Sequence, residues 1–192
     1  MSLRFAPATQ DVFDDVVAML GPRRRPDAAA CWCLTYRLGA PVAARLDAHE
    51  RRARVFELCG RTPAPGVLAY DDGEPAGWAA IHPRADTSFA KNRKIPTLDD
   101  LPVWSLWCVR VRPGHRGRGI SHALVSGAVD FARGHGAPAV EAYPVDNQGE
   151  KVDLTMAYVG TRSLFEAAGF VKAADTSSVL NGFPRVLMRL TL

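Results

Sequence analysis

Apolar residues between Thr9 and Gly21 recur every three or four positions (Val12, Phe13, Val16, Val17, Leu20), the period of an amphipathic helix. Thr9 stands where a capping residue belongs, and Gly21-Pro22 where a helix must stop. A second amphipathic, charged stretch runs from Val42 to Cys59 and is closed by Gly60. A third spans Ile120 to Gly134, with Leu124, Val125, Ala128, Val129 and Phe131 at helical spacing. Thr161 to Ala168 predicts a short fourth helix ended by Gly169. The remaining apolar runs are short and read as strands: Leu3 to Ala6, Val67 to Tyr70, Ala76 to Ile81, Val103 to Val111, Ala139 to Tyr143, Phe170 to Ala174 and Val186 to Leu190. Asp71-Asp72-Gly73-Glu74-Pro75 joins the second and third of these with hairpin-turn chemistry. Residues 22–41 read as irregular or broken helix, and 83–101 as a polar excursion. This mixed order predicts an α/β domain around one central sheet.

Composition narrows the class. A chain of 192 residues, 47% hydrophobic and 23% charged, is long enough for one domain with a substantial core. It lacks the bias of disordered or collagen-like chains. No apolar run reaches the roughly 18 residues of a membrane span, and the N-terminus has no apolar stretch of signal length, so a cytoplasmic protein is expected. The 24 Lys and Arg against 20 Asp and Glu leave a net charge of +4. The basic residues are scattered rather than striped, which argues against nucleic acid and leaves room for a small polyanion. Cys31, Cys33, Cys59 and Cys108 have no zinc spacing, so no metal is expected.

The densest chemistry lies between the strand ending at Val111 and the helix starting at Ile120. Arg112-Pro113-Gly114-His115-Arg116-Gly117-Arg118-Gly119 carries three glycines and three arginines. Such a turn aims backbone amides at one point, and the following helix adds its dipole, a combination that binds phosphate. The nucleoside-triphosphate loop and the dinucleotide fingerprint are both absent. A ligand-free glycine turn is the other reading of these residues.

Arg116-x-x-Gly119-x-Ser121, preceded by Val111-x-Pro113 and followed by Leu124, resembles the acyl-CoA signature of GNAT N-acetyltransferases, Gln/Arg-x-x-Gly-x-Gly/Ala. Ser121 departs from it but keeps a small residue at the helix start. Ser163-Leu164-Phe165-Glu166-Ala167-Ala168-Gly169-Phe170 resembles that family's late helix ending in Gly-Phe. The likeness covers 102–192 well; the first hundred residues match only in their order of elements. It implies a single domain over 1–192, with a mixed, twisted sheet of six or seven strands whose central pair splays. It further implies acetyl-CoA as cosubstrate, an amine acceptor, no nucleic acid or membrane partner, and leaves a homodimer open.

By the same resemblance, Val109, Arg110 and Val111 would line pantetheine, and Arg116, Gly117, Arg118, Gly119, Ile120 and Ser121 would hold the pyrophosphate. The helices of 22–60 would shape the acceptor site. Cys31-Trp32-Cys33 with Tyr36 resembles a pattern in a bacterial branch of these enzymes, which makes Trp32 and Tyr36, with Trp107, candidate acceptor contacts; core packing is the alternative. The family's basic Glu is missing from Trp104 to Val111, and Glu141 on the next strand is the substitute, unless it is held in an ion pair. Phe165 occupies the family's acidic Tyr position. Tyr158, two turns earlier on a continuous helix, is the substitute acid, with packing on the core as its other reading. Cys108 reads as a buried core thiol rather than a nucleophile. A non-catalytic acyl-CoA-binding module is the alternative function.

Overall fold

The computed structural model describes residues 2–23, 25, 27–28, 30–153 and 157–192. Its strands are β1 (Leu3–Pro7), β2 (Val67–Asp71), β3 (Glu74–Pro83), β4 (Trp104–Val111), β5 (Ala139–Ala142), β6 (Val171–Leu180) and β7 (Phe183–Thr191). They form one seven-stranded sheet in the order β1-β2-β3-β4-β5-β7-β6. β4 and β5 are parallel, and the other neighbouring pairs are antiparallel. The mixed α/β architecture and the strand count match the expectation.

Both sheet faces are covered, which explains the unbroken burial of β2 and of β5. On one face, α5 (Ile120–Gly134) buries Ile120, Leu124, Val125, Ala128 and Val129 against Ala79, Ile81, Leu106 and Val140. On the other, α1 (Phe13–Leu20) and α4 (Ala48–Cys59) pack over Leu68, Trp78, Ala80 and Trp107. Trp104 belongs to the first core and Trp107 to the second, as their spacing predicts.

The predicted helix over Val42 to Cys59 is broken. α2 (Thr35–Leu38) and α3 (Ala40–Arg45) precede α4. Asp47 caps α4 and exchanges hydrogen bonds with Glu50 in a complete capping box. The apolar spacing runs through Leu46 and hides this cap. β6 extends six residues past the predicted end at Ala174, to Leu180. It is an edge strand, so Asp175, Thr176, Ser177 and Ser178 sit in it without an apolar signal. No helix among the described residues is long and apolar enough to cross a membrane.

Candidate active site

β4 pairs with β5 at Trp104–Val140, Ser105–Glu141 and Leu106–Ala142, and the pairing stops there. β5 ends at Ala142 and Pro144 follows, whereas β4 continues to Val111. The two strands therefore part, leaving the β5-facing edge of Trp107 to Val111 without a strand partner among the described residues. A bulge accompanies the parting: Ala80 opposes Cys108 and Ile81 opposes Leu106, so Trp107 is the extra residue. It turns Trp107 and Cys108 onto the same face. The 3₁₀ turn Ala157–Val159 packs against β4 beside this opening.

The glycine turn follows β4. Gly114, Gly117 and Gly119 have φ of +92°, +75° and +75°, and a Cβ built on any of them meets nothing within 4 Å. Gly119 is the left-handed residue ahead of α5, and the amides of His122 and Ala123 bond back to its carbonyl. The leading amides of the helix have no intrahelical acceptor. Arg116, Gly117, Arg118 and Gly119 are exposed, Ser121 is half-buried and Ile120 is buried. Asp71, at the end of β2, shapes the turn: its Oδ2 takes His115 Nδ1 at 3.0 Å and Arg118 Nη1 at 2.6 Å. Sequence reading treats Asp71 only as a hairpin residue. Arg116 leans on the Val111 carbonyl at 3.4 Å. Val109 is buried, and Arg110 and Val111 are half-buried at the free edge.

Glu141 lies at the other end of the opening, in a closed ion network, and is 0% exposed. Its Oε2 accepts from Arg84 Nη1 at 2.8 Å and from the Tyr143 hydroxyl at 3.2 Å. Its Oε1 accepts from Arg189 Nη2 at 2.7 Å. Arg189 also pairs with Asp99, and Arg84 Nη2 donates to the Pro96 carbonyl at 3.1 Å, so the network ties the excursion over 83–101 to the sheet. Burial, then the Glu141 charge, pushes the Tyr143 phenol far up.

Tyr158 and Tyr36 meet hydroxyl to hydroxyl at 3.3 Å. Tyr36 stacks on Phe89 with centroids 5.0 Å apart, and its backbone carbonyl accepts from Ser88 Oγ at 2.7 Å. Burial, then the Tyr36 hydroxyl, raises the Tyr158 pKa well above the ordinary phenol value. Tyr158 is not on a continuous helix with Phe165. Gly160, at φ +77°, separates its turn from α6 (Arg162–Glu166), and a Cβ there would lie 2.7 Å from the Phe165 ring. Trp32 and Trp107 are core residues, while Tyr36 is half-buried. Cys33 and Cys108 lie 3.3 Å apart, sulfur to sulfur. The Cys33 contact and burial push the Cys108 thiol well up, which disfavours a thiolate. His122 and Ser163 are exposed. Arg185, unmarked by any sequence signal, reaches Tyr36 from β7.

A strand pair that parts at a bulge and opens toward a glycine turn ahead of a helix defines an α/β acyltransferase fold. The sequence profile of the Acetyltransferase (GNAT) family matches residues 31–152, and the chain belongs to that family. A streptothricin acetyltransferase of Streptomyces lavendulae is 36% identical over 89 residues, a match spanning 40% of this chain and 40% of that protein. Among solved structures, the aminoglycoside acetyltransferase AAC(6')-Ib in complex with coenzyme A superposes with a TM-score of 0.59 at 15% identity, covering 99% of this chain and 95% of its own. A GNAT acetyltransferase from Streptococcus pneumoniae reaches 0.57 at 15% identity, over 100% of this chain and 99% of its own. At such identities these structures speak for the fold alone. Among the described residues no cluster of His, Cys, Asp and Glu could hold a metal.

Proposed function

We propose that the protein is an N-acetyltransferase, one domain spanning the chain, that moves the acetyl group of acetyl-CoA to the primary amine of a small molecule by direct attack, without an acyl-enzyme. The observation that carries this reading is the opening between β4 and β5 that leads to the glycine turn. The similarity to a streptothricin acetyltransferase and to an aminoglycoside acetyltransferase holding coenzyme A supports it.

The turn suits the cosubstrate. Its glycines leave open space where side chains would stand, its leading amides lack intrahelical acceptors, and the α5 dipole and Arg116 add positive potential for a pyrophosphate. The free edge over Val109 to Val111 offers backbone groups to pantetheine as an added strand would. Bound acetyl-CoA supplies the acetyl group as a thioester. Residues around the opening align the amine, and much of the rate comes from that alignment. Tyr158 gives its proton to the departing sulfur, the nitrogen sheds one proton to solvent as the amide forms, and Tyr158 takes its proton back from solvent; its raised pKa keeps that proton in place at neutral pH. Glu141 is a poor base, because two guanidiniums and a phenol occupy its oxygens. The acceptor therefore enters as the free amine, and kcat/KM rises with pH up to the acceptor's own pKa.

A non-catalytic acyl-CoA-binding module is the second reading, favoured by the occupied Glu141 and by Phe165 in place of a tyrosine. Thiol release from acetyl-CoA across a set of small amines separates the two. Turnover above the amine-free rate supports the enzyme, whereas tight CoA binding with no turnover supports the module.

A further inference from the structure

Arg37, Arg84 and Arg185 are buried, and Arg189 is half-buried. Arg37 Nη2 donates to the Pro65 carbonyl at 3.0 Å. Arg84 and Arg189 each meet Glu141 within 2.8 Å. Arg185, on β7, is 3% exposed and meets no carboxylate among the described residues. Its Nε donates to the Tyr143 carbonyl at 2.7 Å and its Nη1 to the Tyr36 hydroxyl at 3.3 Å, and its guanidinium lies 5.5 Å from the centroid of the Tyr36 ring. Nη2 is buried with no acceptor among the described residues. A desolvated guanidinium without a counter-ion is costly, and an unused donor adds to that cost.

The location says what would complete it. Tyr36 links Arg185 to Tyr158, whose turn packs against β4 beside the opening. The phosphates of the cosubstrate are assigned to the glycine turn, and the arm that reaches the opening carries no charge, so an anion at Arg185 belongs to the acceptor. One free guanidinium nitrogen beside a phenol hydroxyl suits a planar carboxylate. We infer that the acceptor is a small amine bearing a carboxylate, an amino acid or aminocarboxylate, which Arg185 and Tyr36 hold while its amine faces the opening; this rests on the transferase reading above. A polycationic acceptor would meet an unmatched positive charge at the same place.

Matched ligand pairs test this. N-acetyl amino acids and their primary amides, standing for product, are titrated into CoA-loaded protein by calorimetry; the parent amino acids and their amides are compared in the thiol-release assay. The expected result is about ten- to hundredfold tighter binding of the carboxylate member, the range of a charged hydrogen-bond pair. The same preference should appear mainly in KM. It should collapse toward unity in Arg185→Met and persist in part in Arg185→Lys, with CoA affinity unchanged. No preference in the wild-type protein, or a preference that survives Arg185→Met, overturns the inference. The wild-type comparison needs no variant to fold. Turnover of amides and amino acids alike would sink the carboxylate site and leave the transferase standing. Carboxylate-selective binding with no turnover would sink the transferase and leave the site.

Discussion

The two ends of the β4–β5 opening are built on opposite terms. At the Glu141 end every charge is spent: a fully buried carboxylate meets two guanidiniums and a phenol, and a second carboxylate, Asp99, meets one of those guanidiniums again. At the glycine-turn end little is spent: left-handed glycines face open space, and helix amides lack intrahelical partners. Buried polar groups with their partners in place specify and hold a fold. Donors left over at an exposed turn point to something that arrives later. On the function proposed above, the first region is scaffold and the second a docking place.

Breaking each end should therefore move a different observable. Glu141→Gln strips the charge from a buried network and should cost about 3–5 kcal/mol of stability, read as a lower unfolding midpoint in denaturant. Its residual turnover should hold a constant ratio to wild type across pH; a deficit that vanishes at high pH would make Glu141 the base after all. Gly119→Asp should do the reverse. Aspartate tolerates the left-handed conformation, so the fold survives, but bulk and negative charge at the turn should weaken CoA about a hundredfold or more by removing charge-assisted hydrogen bonds. Calorimetry checks that, and unchanged affinity would erase the distinction between the two ends. Tyr158→Phe, between them, should lower kcat about ten- to hundredfold, at or below the low end of general-acid effects, without moving CoA affinity. Full activity would return Tyr158 to packing. Cys108→Ala should do least: turnover within about threefold of wild type and a stability loss of about 1 kcal/mol. Loss of all activity would reinstate the thiol as a nucleophile.

The glycine turn was legible because it is local. Arg116, Gly117, Gly119 and the helix behind them lie within a few consecutive residues, and a glycine needed at positive φ leaves its mark in the sequence. The sheet was legible through the apolar runs, with β6 cut short where its edge turned polar. The scaffold end was not. Arg84, Asp99, Glu141 and Arg189 come from four distant places, and only the fold shows that Glu141 is matched on both oxygens. Asp71 under the turn and Arg185 beside Tyr36 were hidden for the same reason, since neither belongs to a local pattern. The surroundings of Tyr158 were not legible either: the left-handed Gly160 separates its turn from α6, so the continuous helix that would have aligned it with Phe165 does not form.

A crystal structure with coenzyme A bound tests the central claim most directly. The account predicts the pyrophosphate against the amides of residues 117–121, with pantetheine running along Val109 to Val111 between the parted strands. A nucleotide bound elsewhere, or β4 and β5 paired beyond Leu106 with no room between them, would contradict it.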